Sequence, residues 1–234
     1  MVPFFIQPAV HLSGSITIHA FGVLIAISVA VGWIVSVYRC LKAGLDPSAC
    51  NRLLAYVIFA GFIAAHLFSV FAYFPEKVRQ DPTILLRFWE DMSSFGGIVG
   101  GLCGFWFFFR RKGAEPGGND RLRYLDCIVY AFPFAWAIGR LGCALAHDHP
   151  GTITAFPLGV SLATRTARRF IAYHYGASGR IEELPDDDAM SRMGFHDLGL
   201  YEFLYTLLIV VPVFLALDRT VRRPGFFPTA FLLL

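Results

Sequence analysis

The sequence predicts an all-α fold, a polytopic membrane helix bundle, and three observations carry that expectation. Hydrophobic residues make up 56% of the 234 and charged residues 16%, with a mean hydropathy of +0.57. An ordinary soluble domain is about 45–50% apolar and about 25% charged. There are 24 Phe, far more than a soluble core needs. Lys and Arg gather in alternate loops between long apolar runs. This composition excludes a disordered chain, a disulfide-rich secreted domain and an ordinary soluble enzyme. The net charge of +3 is too small to suggest a nucleic-acid partner.

A membrane-crossing helix needs roughly 20 mostly apolar residues. Residues 16–38 supply the first and 53–74 the second. The third, 94–109, is shorter and glycine-rich; 124–145 form the fourth. A polar stretch, 147–199, precedes a fifth span at 200–217. Residues 225–234 are apolar but too few to cross, and read as half of a sixth helix or a re-entrant tail. The expected division is 1–146 for helices one to four, 147–199 for a periplasmic cap, and 200–234 for helix five and the partial sixth.

Orientation follows from the basic loops. Segments 39–52, 110–123 and 218–224 hold eleven Lys and Arg in 35 residues, against eight in 71 for segments 75–92 and 147–199. The basic loops are expected on the cytoplasmic side, with the N-terminus and cap outside. The first Lys or Arg is Arg39, so no basic n-region and no cleavable signal is expected. Cys40, Cys50, Cys103, Cys127 and Cys143 form no CxxC pair, and neither a metal site nor a disulfide framework is expected. Within the cap, an amphipathic helix around Arg168, Arg169 and Tyr173 is expected, lying on the membrane or facing solvent.

The glycines of span three are spaced by four: Gly96, Gly100 and Gly104, and Gly97 with Gly101. Small residues on one face permit close helix contact. Near the outer end they also let a lipid headgroup approach the backbone.

Ionisable residues inside spans are costly, about 2.5–3.5 kcal/mol for Arg or Asp on insertion scales, and point to function. Here they are His19, His66, Asp126, Arg140 and Glu202. Arg140 lies between Gly139 and Gly142, which give its guanidinium room. A guanidinium's fork of donors fits two phosphate oxygens. Asp126 is 14 residues away on the same helix, about 21 Å at the helical rise, so the two cannot pair directly. His147, Asp148 and His149, at the membrane boundary, offer a base and a group to orient it. Glu202, behind His196 and Tyr201, either pairs with Arg140 or orients a histidine. His19 and His66 read as core histidines with satisfied partners.

These blocks resemble the prolipoprotein diacylglyceryl transferase family. Ile18-His19-Ala20-Phe21-Gly22-Val23-Leu24 is similar to its opening I-R-W-Y-G-L segment, and Ser94-Phe95-Gly96-Gly97-Ile98-Val99-Gly100 to S-F-H-G-G-L-I-G. Asp126 followed by Gly139-Arg140-Leu141-Gly142 resembles the signature that begins D and runs to G-R-I-G-N-F-I-N-G-E. His196 to Glu202 resembles H-P-S-Q-L-Y-E, and the Arg222-Arg223-Pro224-Gly225 turn also fits. Cys143 and Ala146 stand where the signature has Asn, Asp148 where it has Glu, Phe95 at its His and Phe21 at its Tyr. The chain is expected to be a C-terminally short member.

The resemblance implies a multi-pass enzyme of the bacterial inner membrane. It would move a diacylglyceryl group from phosphatidylglycerol to the lipobox cysteine of a prolipoprotein, with no cofactor. Arg140, His147, Asp148, His149 and Glu202 are the expected catalytic residues. Gly139, Gly142, Gly96, Gly97, His196 and Tyr201 are expected to contact substrate. The alternatives are a relative that binds phospholipid or lipoprotein without catalysis, and a transferase acting on another acceptor.

Overall fold

The computed structural model describes residues 1–11, 17–87, 92–111, 118–218 and 223–234, with backbone alone at 118–119. Lys112, Arg219 and Arg222 of the basic loops, and Ile16 at the expected start of span one, lie outside the described residues. The chain is mostly helical and divides into two units: residues 1–32, 130–221 and 234 in one, and 33–129 with 222–233 in the other.

Among the described residues, four helices are long and apolar enough to cross a membrane: Ala20–Lys42, Pro47–Tyr73, Asp120–Ala146 and Leu198–Leu217. The glycine-rich helix Ser94–Arg110 has 17 residues, about 26 Å of rise, a little under the hydrocarbon thickness.

In the first unit, β1 (Ala9–His11) pairs antiparallel with β2 (Thr17–His19), which runs into α1 (Ala20–Lys42). His19 is therefore an exposed strand residue ahead of the helix, and not the core histidine expected within span one. Residues up to Gly32 of α1 pack on the second half of α5 (Gly118–Ala146) through small side chains. A Cβ on Gly32 would lie 3.1 Å from the Ala135 Cβ, and Ser28 Oγ donates to the Ala135 carbonyl at 2.7 Å. The serine has an acceptor on the neighbouring helix, as a hydroxyl in an apolar setting requires.

Beyond α5 lies a three-stranded antiparallel sheet in the order β3 (Pro150–Thr154), β5 (Gly194–Asp197), β4 (Val160–Ser161). The chain start adds to it: the Val2 N–H donates to the Gly159 carbonyl, and the Val2 carbonyl accepts from the Ser161 N–H. Helix α6 (Arg165–Ala177) covers this sheet. Ala167, Ile171 and Tyr175 recur every four residues and are buried with Val160, Leu162, Met190 and Phe195. That spacing is a helix's buried stripe, so the amphipathic helix expected here is present. Arg168 is turned inward to Asp187, on α7 (Asp187–Ser191), at 2.8 Å and to two backbone carbonyls, while Tyr173 is exposed. The unit closes with α8 (Leu198–Tyr205), a wide π turn at Thr206–Val210, and α9 (Val211–Leu217). Pro212 has no N–H and its ring crowds the preceding turn, which the wider turn accommodates.

The second unit holds the rest of α1 and α5 with α2 (Pro47–Phe68), α3 (Pro75–Gln80), α4 (Ser94–Arg110) and α10 (Phe226–Leu232). Asp46 caps α2 by accepting from Ser48 and Ala49 N–H. The glycines of α4 lie against α2. A Cβ on Gly96 would be 2.6 Å from the Ala64 carbonyl, and one on Gly100 2.5 Å from that of Ala60. His66 is fully buried and bonded to the Ile84 carbonyl at 2.9 Å, a satisfied core histidine as expected. Asp126 accepts from the backbone N–H of Gly225 and of Phe227, at 2.7 and 2.9 Å, and so holds the start of α10.

Candidate functional site

The first unit draws together the end of α5, the turn after it and the start of α8. Arg140 is 8% exposed. Its guanidinium lies over the Trp136 ring, one helical turn earlier, at 4.4 Å. Its Nε is 2.6 Å from Glu202 Oε2, an ion pair in which the N–H is not aligned on the carboxylate. Its Nη1 faces the Cys143 Sγ at 3.8 Å. The arginine is thus held in place by α5 and α8 while part of its donor fork stays uncommitted among the described residues. A charge-assisted anion contact needs just such a group.

Helix α5 ends in a reversal. His147 adopts φ 49°, and Asp148 N–H reaches back to the Cys143 carbonyl at 3.4 Å. This left-handed residue with its six-to-one bond is the common way a helix C-terminus satisfies its last carbonyls. Histidine is among the side chains that tolerate the conformation. The reversal folds residues 148 and 149 back beside the last turn. The Cys143 sulfur, a carboxylate oxygen of Asp148 and a ring nitrogen of His149 consequently lie within 4.8 Å of one another. His149 Nδ1 is 2.6 Å from Asp148 Oδ1, with the two side chains 50% and 33% exposed. The Asp148 carboxylate raises the proton affinity of His149 above the ordinary imidazole value, and the charges of Arg140 and Glu202 act on it as well.

The two boundary histidines are separated. His147 Nδ1 bonds to Asp197 Oδ2 at 2.6 Å, and both residues are buried. Phe4 stacks on the ring at 4.9 Å, with Phe5, Phe170 and Phe195 around it. The other oxygen of Asp197 caps α8 through Leu200 N–H. His147 is thereby enclosed in the cap's apolar core, and the exposed partner of Asp148 is His149.

The remaining expected residues fall elsewhere. Gly139 and Gly142 face α1: a Cβ would meet Ser28 Oγ at 3.5 Å and the Phe21 ring at 3.2 Å respectively. They make a helix contact. Gly96 and Gly97 belong to the second unit, and α2 lies against the glycine face that was expected to let a lipid headgroup approach. His196 Nδ1 and Tyr201 OH bond to each other at 2.7 Å, part-buried, with Phe156 against them.

Sequence reasoning missed Trp136, Asp197 and Gly199. Trp136 stands four residues before Arg140, a spacing that stacks side chains on one helix face. Asp197 precedes an apolar helical run, the position of an N-cap. Gly199 allows α8 to start against the end of α5, since a Cβ there would be 2.9 Å from Cys143 Cβ and Ala144 N.

The sequence profile described as "Prolipoprotein diacylglyceryl transferase" matches residues 7–234. A phosphatidylglycerol–prolipoprotein diacylglyceryl transferase of Thermoanaerobacter sp. (strain X514) is 31% identical over 155 residues, covering 66% of this chain and 58% of that protein. The protein of the same name from Chromohalobacter salexigens is 25% identical over 237 residues, covering 98% of this chain and 75% of the relative. That of Staphylococcus aureus (strain MSSA476) is 25% identical over 152 residues, covering 64% of this chain and 52% of the relative. The match therefore spans little more than half the length of the Thermoanaerobacter and Staphylococcus proteins.

Proposed function

The chain belongs to the prolipoprotein diacylglyceryl transferase family, and from that premise we propose that it transfers a diacylglyceryl group from phosphatidylglycerol to a cysteine thiol of a prolipoprotein lipobox. The observation that carries the reading is the buried, partly uncommitted guanidinium of Arg140 beside the half-exposed Asp148–His149 pair. One group binds a phosphodiester, and the other serves the thiol that replaces it.

In the proposed reaction the acceptor sulfur, as thiolate, attacks the glycerol carbon that bears the phosphate. A C–S bond forms and the C–O bond breaks. The electron pair leaves on the phosphate oxygen of glycerol-1-phosphate. Arg140 meets the charge that develops there, with Glu202 and Trp136 fixing its plane. The thiol proton departs on the side of Asp148 and His149. The apolar helices admit the lipid from the bilayer. The cap, 147–199, faces the periplasm of a bacterial inner membrane, and the basic loops face the cytoplasm. The positive-inside pattern supports that orientation.

The test is transfer of radiolabelled diacylglycerol from phosphatidylglycerol to a lipobox peptide by the purified chain. Wild type is expected to transfer, and Arg140→Ala to be slower by about 100-fold or more. A folded wild type that transfers nothing would overturn the reading and leave a relative that binds lipid without catalysis.

A further inference from the structure

The thiol, carboxylate and imidazole at the end of α5 form a set that the transfer chemistry above uses only in part. We infer that Cys143, Asp148 and His149 bind a divalent zinc-class cation, whose fourth position is open to the acceptor thiol. The inference deepens the proposed function and rests on it for the identity of that fourth ligand.

Three features support it. The candidate ligand atoms lie within 4.8 Å of one another. Zinc bonds sulfur at about 2.3 Å and nitrogen or oxygen at about 2.0–2.2 Å, so a modest rotation of the two exposed side chains, Asp148 and His149, closes the set on one ion. The donor types match as well: thiolate with imidazole and carboxylate is a set for zinc, whereas calcium and magnesium take oxygen alone. Charge is the third. A thiolate and a carboxylate balance a divalent ion, while Arg140 is balanced by Glu202 at 2.6 Å.

The backbone prepares the arrangement. Asp148 N–H holds the reversed chain to the Cys143 carbonyl, which places residues 148 and 149 over the sulfur. Arg140 Nη1, 3.8 Å from Cys143 Sγ, is an outer-shell donor to the thiolate.

Three protein ligands leave a tetrahedral ion one position for water or substrate. The acceptor sulfur displaces that water, and its proton passes to bulk water through the exposed face of the site. A metal-bound thiol is held as thiolate. Once the C–S bond has formed, the product is a thioether, which carries no negative charge for the ion and is released.

The experiment measures the metal content of the full-length chain purified in detergent from zinc-supplemented medium. About one zinc per chain is expected. Cys143→Ala and, on the exposed side, His149→Gln should each lose roughly tenfold or more of it. Cys103→Ala should lose none. Cobalt loaded in place of zinc should show a thiolate charge-transfer band that Cys143→Ala lacks. A short peptide with one cysteine should strengthen that band as a second thiolate joins. Wild type without zinc, or zinc retained by both ligand variants, would overturn the site. A band indifferent to the peptide would overturn the open position. Diacylglyceryl transfer is followed in parallel. Undiminished transfer after the metal is stripped would overturn the role assigned here and leave the transferase reading intact. Zinc bound through Cys143 with no transfer would overturn the transferase reading and leave the metal site standing.

Discussion

His147 and Asp197 illustrate how a buried polar pair anchors the cap. Asp197 accepts from the His147 ring on one oxygen and caps α8 on the other, with no exposure to water. Removing it strips a buried partner and a helix cap together. Asp197→Ala is expected to lower stability by roughly 2–4 kcal/mol, measured by thermal unfolding in detergent. Asp148→Ala breaks a part-exposed pair with His149 and should cost under about 1 kcal/mol. A comparable loss in the two variants would contradict the anchoring role. His174 adds a pH dependence. It sits on α6 against Phe170, and burial lowers its proton affinity. The unfolded chain then binds the proton more readily, so the cap is stable above the ordinary histidine range, near about 6.5, and weakens as pH falls through it. Hydrogen exchange of α6 amides should quicken between neutral and mildly acidic pH in wild type, and change less in His174→Gln.

The contact of α4 with α2 offers a sharp contrast between neighbouring glycines. A Cβ on Gly100 would be 2.4 Å from that of Ala64, with backbone behind it, whereas one on Gly97 would sit 3.7 Å from Ala65. Gly100→Ala should therefore destabilise by about 1–3 kcal/mol or more. Gly97→Ala should be neutral or slightly stabilising, since alanine favours a helix. Yields of folded protein and unfolding temperatures distinguish them. Equal effects would sink the close-contact reading. Gly199→Ala should likewise push α8 from α5 and reduce transfer through Arg140 and Glu202. The helices were legible in the sequence because hydropathy over twenty residues is a local sum. Spans two and four were readable for that reason. What was not legible depends on distant pairing. Asp126 holds α10 across a hundred residues of chain. Asp197 reaches His147 because β5 pairs with β3. Cys143 meets His149 only because His147 reverses the backbone, a conformation that no periodicity announces.

Across the whole chain, the proposed orientation is open to a direct check. Ser178 is exposed in the cap, and Arg110 ends α4 next to a basic loop. In a Cys103→Ala background, Ser178→Cys should react with a membrane-impermeant maleimide added to spheroplasts. Arg110→Cys should react only after lysis. The opposite pattern would invert the topology and place Arg140 and the cap on the cytoplasmic side, where a periplasmic acceptor is out of reach.

The partnership of Arg140 with Glu202 also sets an order of events during synthesis. The two residues are 62 positions apart in the chain. At roughly 5–20 residues per second, the arginine leaves the ribosome several seconds before its carboxylate exists. Its segment must therefore enter the bilayer unaided by that counter-charge, with only Trp136 and the neighbouring apolar side chains to shelter it. Substitutions that make the helix around Arg140 less apolar should then reduce how often nascent chains insert, even when the finished protein would tolerate them.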